Sequence, residues 1–462
     1  MRYSTPVSAS ELSTHTAVPP PAPKARCGAS WRWNLLYGSA ALIGWPIMLY
    51  RRWVKGKDRE GFSKKWGNFA PRSAHSQRIW VHAVSVGETN AAVPLIAEVK
   101  KQLPNAELVV STTTDTGQNV ARQRFGADNV IYYPYDFSWS VRRAFERLQP
   151  NLIVLMELEV WPNLTAEAAA RGIPVVVVNG RITARSGGRY KKFWWLVGGS
   201  FRRVTRWLTQ NDEYAARLKD LGVEPARVEV GGNVKYDAVE TRSITPEERS
   251  AARKELGLTE DARVLFGGST HPSEEGTLLA AYAKLRATIP TLRLVLCPRH
   301  PERLPGVVRE IESAGFAVLR RSALKEKGAA ALDMLPAEQR TQAVVLIDTM
   351  GELGRLYRAA DLVFVGGSLI PHGGQSVMEP AGLGLPAVFG PHMHNFAEAV
   401  QILKTCEGAV QVSGADAVPG ALEKFLTQPE AARAMGARAQ RAFVERQGAS
   451  KKCVAYLASL LT

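Results

Sequence analysis

The stretch Val344-Val-Leu-Ile-Asp-Thr-Met-Gly-Glu-Leu353 joins a short apolar run to a polar turn that contains a glycine. An apolar run of this length is typical of a strand that is buried on both faces of a parallel sheet. The Asp348-Thr349 pair and Gly351 then predict a cap at the carboxyl end of this strand. The following helix would present unpaired N–H groups to an anion such as phosphate. The stretch therefore predicts an α/β unit that binds a nucleotide or a nucleotide sugar.

Two glycine-rich segments follow this stretch, and they strengthen the prediction of a nucleotide site. They are Val365-Gly-Gly-Ser368 and Gly373-Gly-Gln-Ser-Val-Met-Glu-Pro380. Glycine lacks a Cβ atom, so we interpret both segments as places where the backbone approaches a ligand closely. Glu379 lies near the start of the next predicted helix, where its carboxylate can accept hydrogen bonds from paired ribose hydroxyls. We interpret Glu379 as a residue that recognises a sugar and not as an acid catalyst.

Short β-branched runs alternate with helical stretches along most of the chain. The runs in the first half are residues 79–82, 108–110, 130–133, 152–155, 175–178 and 228–230. The runs in the second half are residues 264–266, 294–296, 344–347, 362–365 and 387–389. This rhythm predicts two doubly wound parallel sheets that meet near residue 240. Ligands of such sheets bind beyond the carboxyl ends of the strands, so we expect one active site in a cleft between the two domains.

The N-terminal region differs in composition from the rest of the 462 residues. We expect residues 1–30 to be a disordered, proline-rich tail and residues 31–59 to be a membrane-anchor helix with a basic flank. Trp33 to Tyr50 contains no charge over 18 residues, which corresponds to about 27 Å of helix against about 30 Å of bilayer hydrocarbon. The alternative is a buried or interfacial helix, because Asn34, two glycines and Pro46 weaken the span.

The distribution of charge indicates where an anionic partner binds and which side of a membrane the domains occupy. Five basic residues follow the apolar segment between residues 51 and 59, so the positive-inside rule predicts cytoplasmic domains attached to the inner membrane. The net charge is +16, and residues 1–240 hold 33 basic and 20 acidic side chains. Eight of these basic residues surround Phe193-Trp-Trp195, which favours a membrane interface or a phosphorylated lipid over a merely solvated helix. These eight are Arg181, Arg185, Arg189, Lys191, Lys192, Arg202, Arg203 and Arg206.

Some classes of protein are not indicated by the sequence. No nucleic-acid-binding motif accompanies the basic residues, so nucleic acid is not an expected partner. The four cysteines are scattered, with neither the pairing of a disulfide framework nor the spacing of a zinc site.

Six motifs occur in an order that resembles the 3-deoxy-D-manno-octulosonic acid (Kdo) transferases of lipopolysaccharide synthesis. They are His82-Ala-Val-Ser-Val-Gly-Glu88, Met156-Glu-Leu-Glu-Val-Trp-Pro-Asn163, Asn179-Gly-Arg-Ile-Thr-Ala-Arg-Ser186, Gly232-Asn-Val-Lys-Tyr-Asp237, Cys297-Pro-Arg-His-Pro-Glu-Arg303 and Asp348-Thr-Met-Gly-Glu-Leu353. The resemblance runs from about Arg51 to the C-terminus. It implies an α/β GT-B fold with two Rossmann-like domains, in which residues 60–240 bind the acceptor and residues 241–462 bind the CMP-sugar. It also implies inverting transfer from CMP-Kdo to a lipid A precursor, lipid IVA.

The resemblance assigns catalytic roles to three residues of the N-terminal domain. Glu88 becomes the general base, since a carboxylate on a glycine turn can take a proton from an acceptor hydroxyl. Glu157 and Lys235 become a stabilising pair, in which Lys235 offsets charge on the departing phosphate and Glu157 orders Lys235 or supports an oxocarbenium-like sugar. The alternatives are that Glu88 only caps a helix and that Glu157 and Lys235 only form an interdomain ion pair.

The resemblance places the donor in the C-terminal domain. The expected contacts are Pro298, Arg299, Met350, Gly351, Glu352, Ser376, Val377, Met378 and Glu379. Many members read Gly-Gly-His-Asn-Pro-Leu-Glu, whereas this chain reads Gly-Gly-Gln-Ser-Val-Met-Glu, so Ser376 offers a hydroxyl in place of an amide. Arg299 can make a charge-assisted bond to the single phosphate of CMP. With no Asp-x-Asp motif to hold a divalent cation, we expect neither a metal nor a cofactor.

Two other functions are compatible with parts of the sequence. One is a different GT-B enzyme, which transfers a sugar from a UDP-sugar to a lipid-linked acceptor. The other is a non-catalytic basic module, which binds anionic membrane or nucleic acid.

Overall fold

The computed structural model of the chain describes residues 30–53, 62–75 and 77–461, with the side chains of residues 30 and 43–53 left aside. The predicted tail, apart from Ser30, and most of the predicted basic flank lie outside the described residues. The chain forms two compact units, of which one extends to Ala238 and also includes Gln447–Thr462, and the other spans Val239–Arg446. The predicted domain boundary near residue 240 therefore agrees with the structure to within a few residues.

Within the described residues, the N-terminal unit contains a seven-stranded parallel sheet with the strand order β3-β2-β1-β4-β5-β6-β7. The strands are β1 Arg78–His82, β2 Glu107–Thr112, β3 Val130–Tyr132, β4 Leu152–Met156, β5 Val175–Gly180, β6 Arg206–Thr209 and β7 Val228–Val230. The helices are α1 Ser30–Trp53, α2 Val86–Gln102, α3 Asp115–Phe125, α4 Ser138–Leu148, α5 Pro162–Ala170, α6 Ala184–Lys192, α7 Trp194–Arg202 and α8 Asp212–Asp220. All residues of β1 and β4 are buried, because apolar side chains pack on both faces of the sheet.

The described part of the C-terminal unit is built in the same way, with the strand order β10-β11-β9-β8-β12-β13-β14. Its strands are β8 Arg263–Thr270, β9 Leu292–Pro298, β10 Val318–Arg320, β11 Val344–Leu346, β12 Leu362–Val365, β13 Ala387–Phe389 and β14 Val410–Gln411. Its helices are α9 Pro246–Glu255, α10 Glu274–Arg286, α11 Leu304–Ser313, α12 Arg321–Lys327, α13 Ala330–Asp333, α14 Leu353–Leu356, α15 Met378–Gly382, α16 Ala397–Thr405, α17 Val418–Thr427 and α18 Pro429–Val444. The fold is thus α/β with two doubly wound sheets, as the sequence predicts.

The last helix, α19 Ala449–Ala458, belongs to the N-terminal unit. Cys453, Val454 and Leu457 join the core that lies between the first sheet and α2. Asp237 accepts hydrogen bonds from the N–H groups of Gly448, at 2.6 Å, and Ser450, at 2.5 Å. The assignment of all of residues 241–462 to the C-terminal domain was therefore wrong for the final segment. The apolar residues of this segment are buried because the chain returns to the first unit.

Helix α1 forms where the sequence predicts a helix, but its character differs from the prediction. No helix in the part of the chain that the structure describes is both long enough and apolar enough to cross a bilayer. The predicted membrane-spanning anchor over Trp33 to Tyr50 is therefore not supported. Polar side chains of α1 instead form hydrogen bonds with other residues of the N-terminal unit. Asn34 donates to the hydroxyl of Ser138 at 2.6 Å, and Tyr37 donates to Asp136 at 3.1 Å.

Candidate active site

Glu88 lies in the first turn of α2, directly after the carboxyl end of β1. Ser85 caps this helix, and its hydroxyl accepts from the backbone N–H of Glu88 at 3.3 Å. The Glu88 carboxylate accepts in return from the Ser85 hydroxyl at 3.0 Å and from the N–H of Val84 at 2.9 Å. The helix-capping contacts of the alternative interpretation are therefore present. They occupy only part of the carboxylate, which has about four acceptor positions.

The environment of Glu88 raises the pKa of its carboxyl group. Burial is the largest cause, and the charge of Glu157 acts in the same direction. The hydrogen bonds from Val84 and Ser85 and the charge of Lys235 oppose this rise in pKa. A carboxylate whose pKa is raised toward neutrality is a better proton acceptor at physiological pH.

Glu157 and Lys235 form an ion pair inside the N-terminal unit. The Lys235 ammonium lies 3.0 Å from the Glu157 carboxylate, with the two side chains 37% and 23% exposed. Because both residues belong to one unit, the alternative of an interdomain ion pair is wrong. Glu157 adopts a left-handed backbone conformation with φ of 58°, and its N–H donates to Val178 at 2.9 Å. A non-glycine residue in this conformation is held there by its surroundings, as is common at functional sites.

Glu159 is a third carboxylate near this pair, and the sequence interpretation gave it no role. Burial raises the pKa of Glu159 to about 7, and the charges of Glu88 and Glu157 add to this rise. Glu88, Glu157 and Glu159 therefore lie within electrostatic reach of one another. The Met156–Asn163 motif contains Glu159 two residues after Glu157, so the motif itself was the available signal.

In the C-terminal unit, the Asp348–Glu352 turn is held by the start of α12. Asp348 accepts from the N–H of Ser322 at 2.8 Å and from its hydroxyl at 2.5 Å. Arg321 donates to Glu352 at 3.3 Å. The sequence predicts that Asp348 caps the helix that follows the turn. This prediction is wrong, because the carboxylate of Asp348 is bonded to Ser322.

Two residues at the centre of this turn remain available to a ligand. Gly351 has φ of 79°, a conformation that favours glycine, and the side chain of Met350 is 75% exposed. Burial alone would raise the pKa of Glu352, but hydrogen bonds from Thr349 and Arg321 lower it to about 2. Glu352 is thus anionic and ion-paired with Arg321. If Glu352 contacts the sugar donor, it does so while still paired with Arg321.

The Gly366-Gly367 segment is close-packed against the protein itself. A Cβ atom at Gly366 would overlap the backbone of Ser269. The Glu274 carboxylate, which is fully buried, accepts from the N–H groups of Gly367, Ser368 and Leu369 at 2.7, 2.9 and 2.9 Å. The N–H groups of residues 367–369 are therefore bonded to Glu274, whereas the N–H of Gly366 donates to Gly268, so a ligand contact of the two glycines stays a prediction. No local sequence pattern indicates this role of Glu274, which precedes Gly367 by 93 residues.

The other predicted donor contacts lie around the end of β9. Pro298 ends that strand, and burial raises the pKa of Cys297 to about 12. Arg299, Glu352 and Glu379 all act electrostatically on the Cys297 thiol, so the structure brings these three predicted residues together. Although Glu379 is exposed at the surface, desolvation by the surrounding protein raises the pKa of its carboxyl group, while the charge of Arg299 lowers it.

The segment that departs from the usual family pattern contains both buried and half-buried side chains. Val377 is fully buried in the core, so only its backbone could serve a ligand, whereas Ser376 and Met378 are half-buried. Gln375 bonds to the ring of His271 at 3.2 Å. The ring centroid of His271 lies 4.3 Å from that of His372. Burial lowers the pKa of His271 to about 4, so this ring is neutral at physiological pH.

The predicted basic and aromatic surface is smaller than the sequence suggests. Arg206 belongs to β6, forms an ion pair with Glu229 and lies over the ring of Tyr456. Trp194 packs against the core, whereas Trp195 is 81% exposed. The basic residues of α6, which shortly precedes Trp195 in the chain, are exposed. We call α6, Phe193 and Trp195 the basic face.

Comparisons with known proteins show which family the chain belongs to. A family model described as 3-deoxy-D-manno-octulosonic-acid transferase (kdotransferase) matches residues 57–238. The chain is 32% identical to 3-deoxy-D-manno-octulosonic acid transferase of Haemophilus influenzae over 428 residues, which cover 91% of this chain and 97% of that protein. It is also 32% identical to the transferase of the same name from Bordetella pertussis over 431 residues, with coverage of 88% and 94%.

A solved structure supports the fold alone. UDP-GlcNAc 2-epimerase from Neisseria meningitidis, bound to UDP-GlcNAc, is similar with a TM-score of 0.54 and 13% sequence identity. The similarity covers 83% of this chain and 100% of that one. The chain matches the two transferases at 32% identity over almost their whole length, and it therefore belongs to the 3-deoxy-D-manno-octulosonic acid (Kdo) transferase family.

Proposed function

We propose that the chain transfers Kdo from CMP-Kdo to a lipid A precursor, lipid IVA, with inversion at the anomeric carbon. The observation that carries this proposal is the buried Glu88, whose pKa is raised, beside the Glu157–Lys235 ion pair in a chain of this family. Glu88 takes the proton of an acceptor hydroxyl while the oxygen of that hydroxyl bonds to the anomeric carbon. The bond from that carbon to the phosphate of CMP breaks, and CMP leaves with the electron pair.

The remaining predicted residues have supporting roles in this proposal. Lys235, oriented by Glu157, offsets the negative charge that develops on the leaving phosphate. The C-terminal unit binds the donor through Pro298, Arg299, the turn of Met350 to Glu352, and the segment from Ser376 to Glu379. Arg299 bonds to the phosphate, and Glu379 accepts from ribose hydroxyls.

The reaction itself is the direct test of the proposal. Purified protein is incubated with CMP-Kdo and a tetraacylated lipid A precursor, and the product is analysed by mass spectrometry. We expect the acceptor to gain the mass of one or more Kdo units, and CMP but not UDP to inhibit the transfer. Inhibition by UDP, together with transfer from a UDP-sugar, would favour the alternative GT-B enzyme instead.

The dependence of kcat/KM on pH tests the role of Glu88. Protonated Glu88 cannot accept a proton, so activity falls as the pH drops through its pKa, which burial raises above the usual 4.5. Glu157→Gln removes a charge that raises this pKa, so the midpoint should move to lower pH. Lys235→Met removes a charge that lowers it, so the midpoint should move to higher pH. If both variants shift the midpoint in the same direction, the assignment of this titration to Glu88 is wrong.

We further propose that the transfer proceeds without a metal ion. CMP carries one phosphate, whose charge arginine and lysine side chains can offset without a divalent cation. We expect full activity in the presence of excess EDTA, measured by the same mass-spectrometric assay. Loss of activity in EDTA that Mg²⁺ restores would contradict this expectation.

We also propose that the protein associates with the cytoplasmic surface of the inner membrane, where its lipid acceptor is found. The exposed Trp31, Leu35 and Leu42 of α1 and the basic face support this proposal. The chain should sediment with vesicles that contain phosphatidylglycerol and remain in the supernatant with pure phosphatidylcholine. Added salt should weaken the association, because part of it is electrostatic. A Trp195→Ala variant that binds as tightly as the unaltered chain would exclude the basic face from the contact.

A further inference from the structure

Asp136 caps a helix that lies far from it in the sequence. Helix α5 follows Trp161, which provides no side-chain cap, and it begins with Pro162, which has no backbone N–H. The Asp136 carboxylate accepts from the next two N–H groups, those of Asn163 and Leu164, each at 2.9 Å. These N–H groups have no partner within the helix, so Asp136 supplies the cap that the local sequence lacks.

Helix α1 completes the surroundings of Asp136. The hydroxyl of Tyr37 donates to Asp136 at 3.1 Å. The side-chain oxygen of Asn34 accepts from the N–H of Ser138 at 2.9 Å and from the amide of Asn163 at 3.3 Å. We call Asn34, Tyr37, Asp136, Ser138 and Asn163 the Asp136 cluster. Asp136 is buried, and a buried carboxylate is costly unless hydrogen bonds satisfy it.

The Asp136 cluster fixes one end of the turn that carries two candidate active-site carboxylates. Residues 157–161 connect the end of β4 with the start of α5, and they include Glu157 and Glu159. The near end of the turn is held by the hydrogen bond from Glu157 to Val178. Its far end is held by Asn163 and Leu164, which are bonded to Asp136. The position of both carboxylates therefore depends on the cap.

We propose that Asp136 and Tyr37 are positioning residues for the turn that carries Glu157 and Glu159, so that helix α1 helps to hold the candidate active site. This inference rests on the proposed function of Glu88, Glu157 and Lys235. Neither Asp136 nor Tyr37 touches the substrate in this proposal. Both act through α5 on the geometry of the turn, and displacements of about 1 Å in an active site can cost about 100-fold in rate.

The test compares Tyr37→Phe and Asp136→Asn in the full chain with the unaltered protein. Tyr37→Phe removes one hydroxyl and keeps the ring that packs against Trp33 and Phe137. Ser39→Ala is the matched control, since among the described residues the Ser39 hydroxyl bonds only to Leu35 of its own helix. We expect kcat for Kdo transfer to fall about 5-fold for Tyr37→Phe and about 100-fold for Asp136→Asn. The KM for CMP-Kdo should stay unchanged, and Ser39→Ala should behave as the unaltered chain.

A second measurement separates this inference from the proposed function. Hydrogen exchange of the amides of residues 157–161, 163 and 164 should become faster in Tyr37→Phe and faster still in Asp136→Asn, whatever reaction the chain catalyses. If the unaltered chain transfers no Kdo, the proposed function fails, and hydrogen exchange alone decides the inference. Unchanged exchange in both variants, or unchanged kcat in folded variants of an active enzyme, would overturn it. A merely structural role would lower the melting temperature and leave kcat of the folded protein intact.

Discussion

Replacing Glu88 with glutamine is expected to lower kcat for Kdo transfer by about 1000-fold, within the range that a general base contributes. The amide oxygen of glutamine can still accept from Val84 or Ser85, so part of the helix cap is retained. The amide cannot take a proton from an acceptor hydroxyl. The loss should therefore appear in kcat, measured under saturating CMP-Kdo and lipid acceptor, while CMP binding by calorimetry stays unchanged.

The control for this prediction is a glutamate that has a capping role and no proposed catalytic role. Glu248 occupies the equivalent position in the capping box of α9, where it accepts from the N–H of Thr245 at 3.1 Å. We expect Glu248→Gln to retain the full kcat, with only a small loss of stability. If Glu88→Gln behaves in the same way as Glu248→Gln, Glu88 is only a helix-capping residue, and the proposed base must be sought elsewhere. Glu159 would then be the next candidate.

The sequence predicts the strands well where their apolar runs are unambiguous. All eleven predicted runs coincide with strands, whereas β6, β10 and β14 were not predicted. Strand β6 begins with Arg206, which the sequence interpretation assigned to the basic surface. Only the structure reveals that Glu229 neutralises Arg206 from the neighbouring strand. Short edge strands such as β14, with two residues, carry too little periodicity to be recognised.

The candidate site is predicted less completely than the fold, because its supporting contacts join residues far apart in the sequence. Motif order predicts Glu88, Glu157 and Lys235 as site residues, and the structure adds the ion pair between the last two. No local pattern reveals that Asp136 caps α5 or that Glu274 bonds to the backbone of the Gly366-Gly367 segment. A buried carboxylate and a surface carboxylate have the same letter in the sequence, and only tertiary packing distinguishes them.

The second large effect, a loss of stability, is expected on substitution of Glu274. Its carboxylate accepts hydrogen bonds from four backbone N–H groups. The fourth is that of His271, at 2.9 Å. Glu274→Gln replaces one acceptor oxygen with an NH₂ group, which would face backbone donors and leave at least one of them unsatisfied. Each buried unsatisfied donor costs about 1–3 kcal/mol, so we expect the C-terminal unit to lose about 3 kcal/mol of stability. CMP binding should weaken as well, because Glu274 also holds His271, whose ring is bonded to Gln375 next to the proposed donor contacts Ser376 to Glu379.

The tryptophans make this prediction measurable in the intact chain. All eleven tryptophans lie between residues 31 and 207, so tryptophan fluorescence reports on the N-terminal unit, whereas circular dichroism reports on both units. Glu274→Gln should shift the circular dichroism transition to lower denaturant concentration and leave the fluorescence transition in place. Glu275→Gln is the matched control, since Glu275 is equally buried but pairs with the side chain of Arg303 at 2.9 Å.

Because Arg303 can keep a hydrogen bond to the glutamine oxygen and is partly exposed, we expect a smaller loss for Glu275→Gln, about 1 kcal/mol. CMP affinity should remain that of the unaltered chain in this control. Equal destabilisation by the two variants would mean that burial of charge, and not the bonding of Glu274 to the glycine segment, determines the effect. A Glu274→Gln variant with unchanged CMP affinity would separate this segment from the donor site altogether.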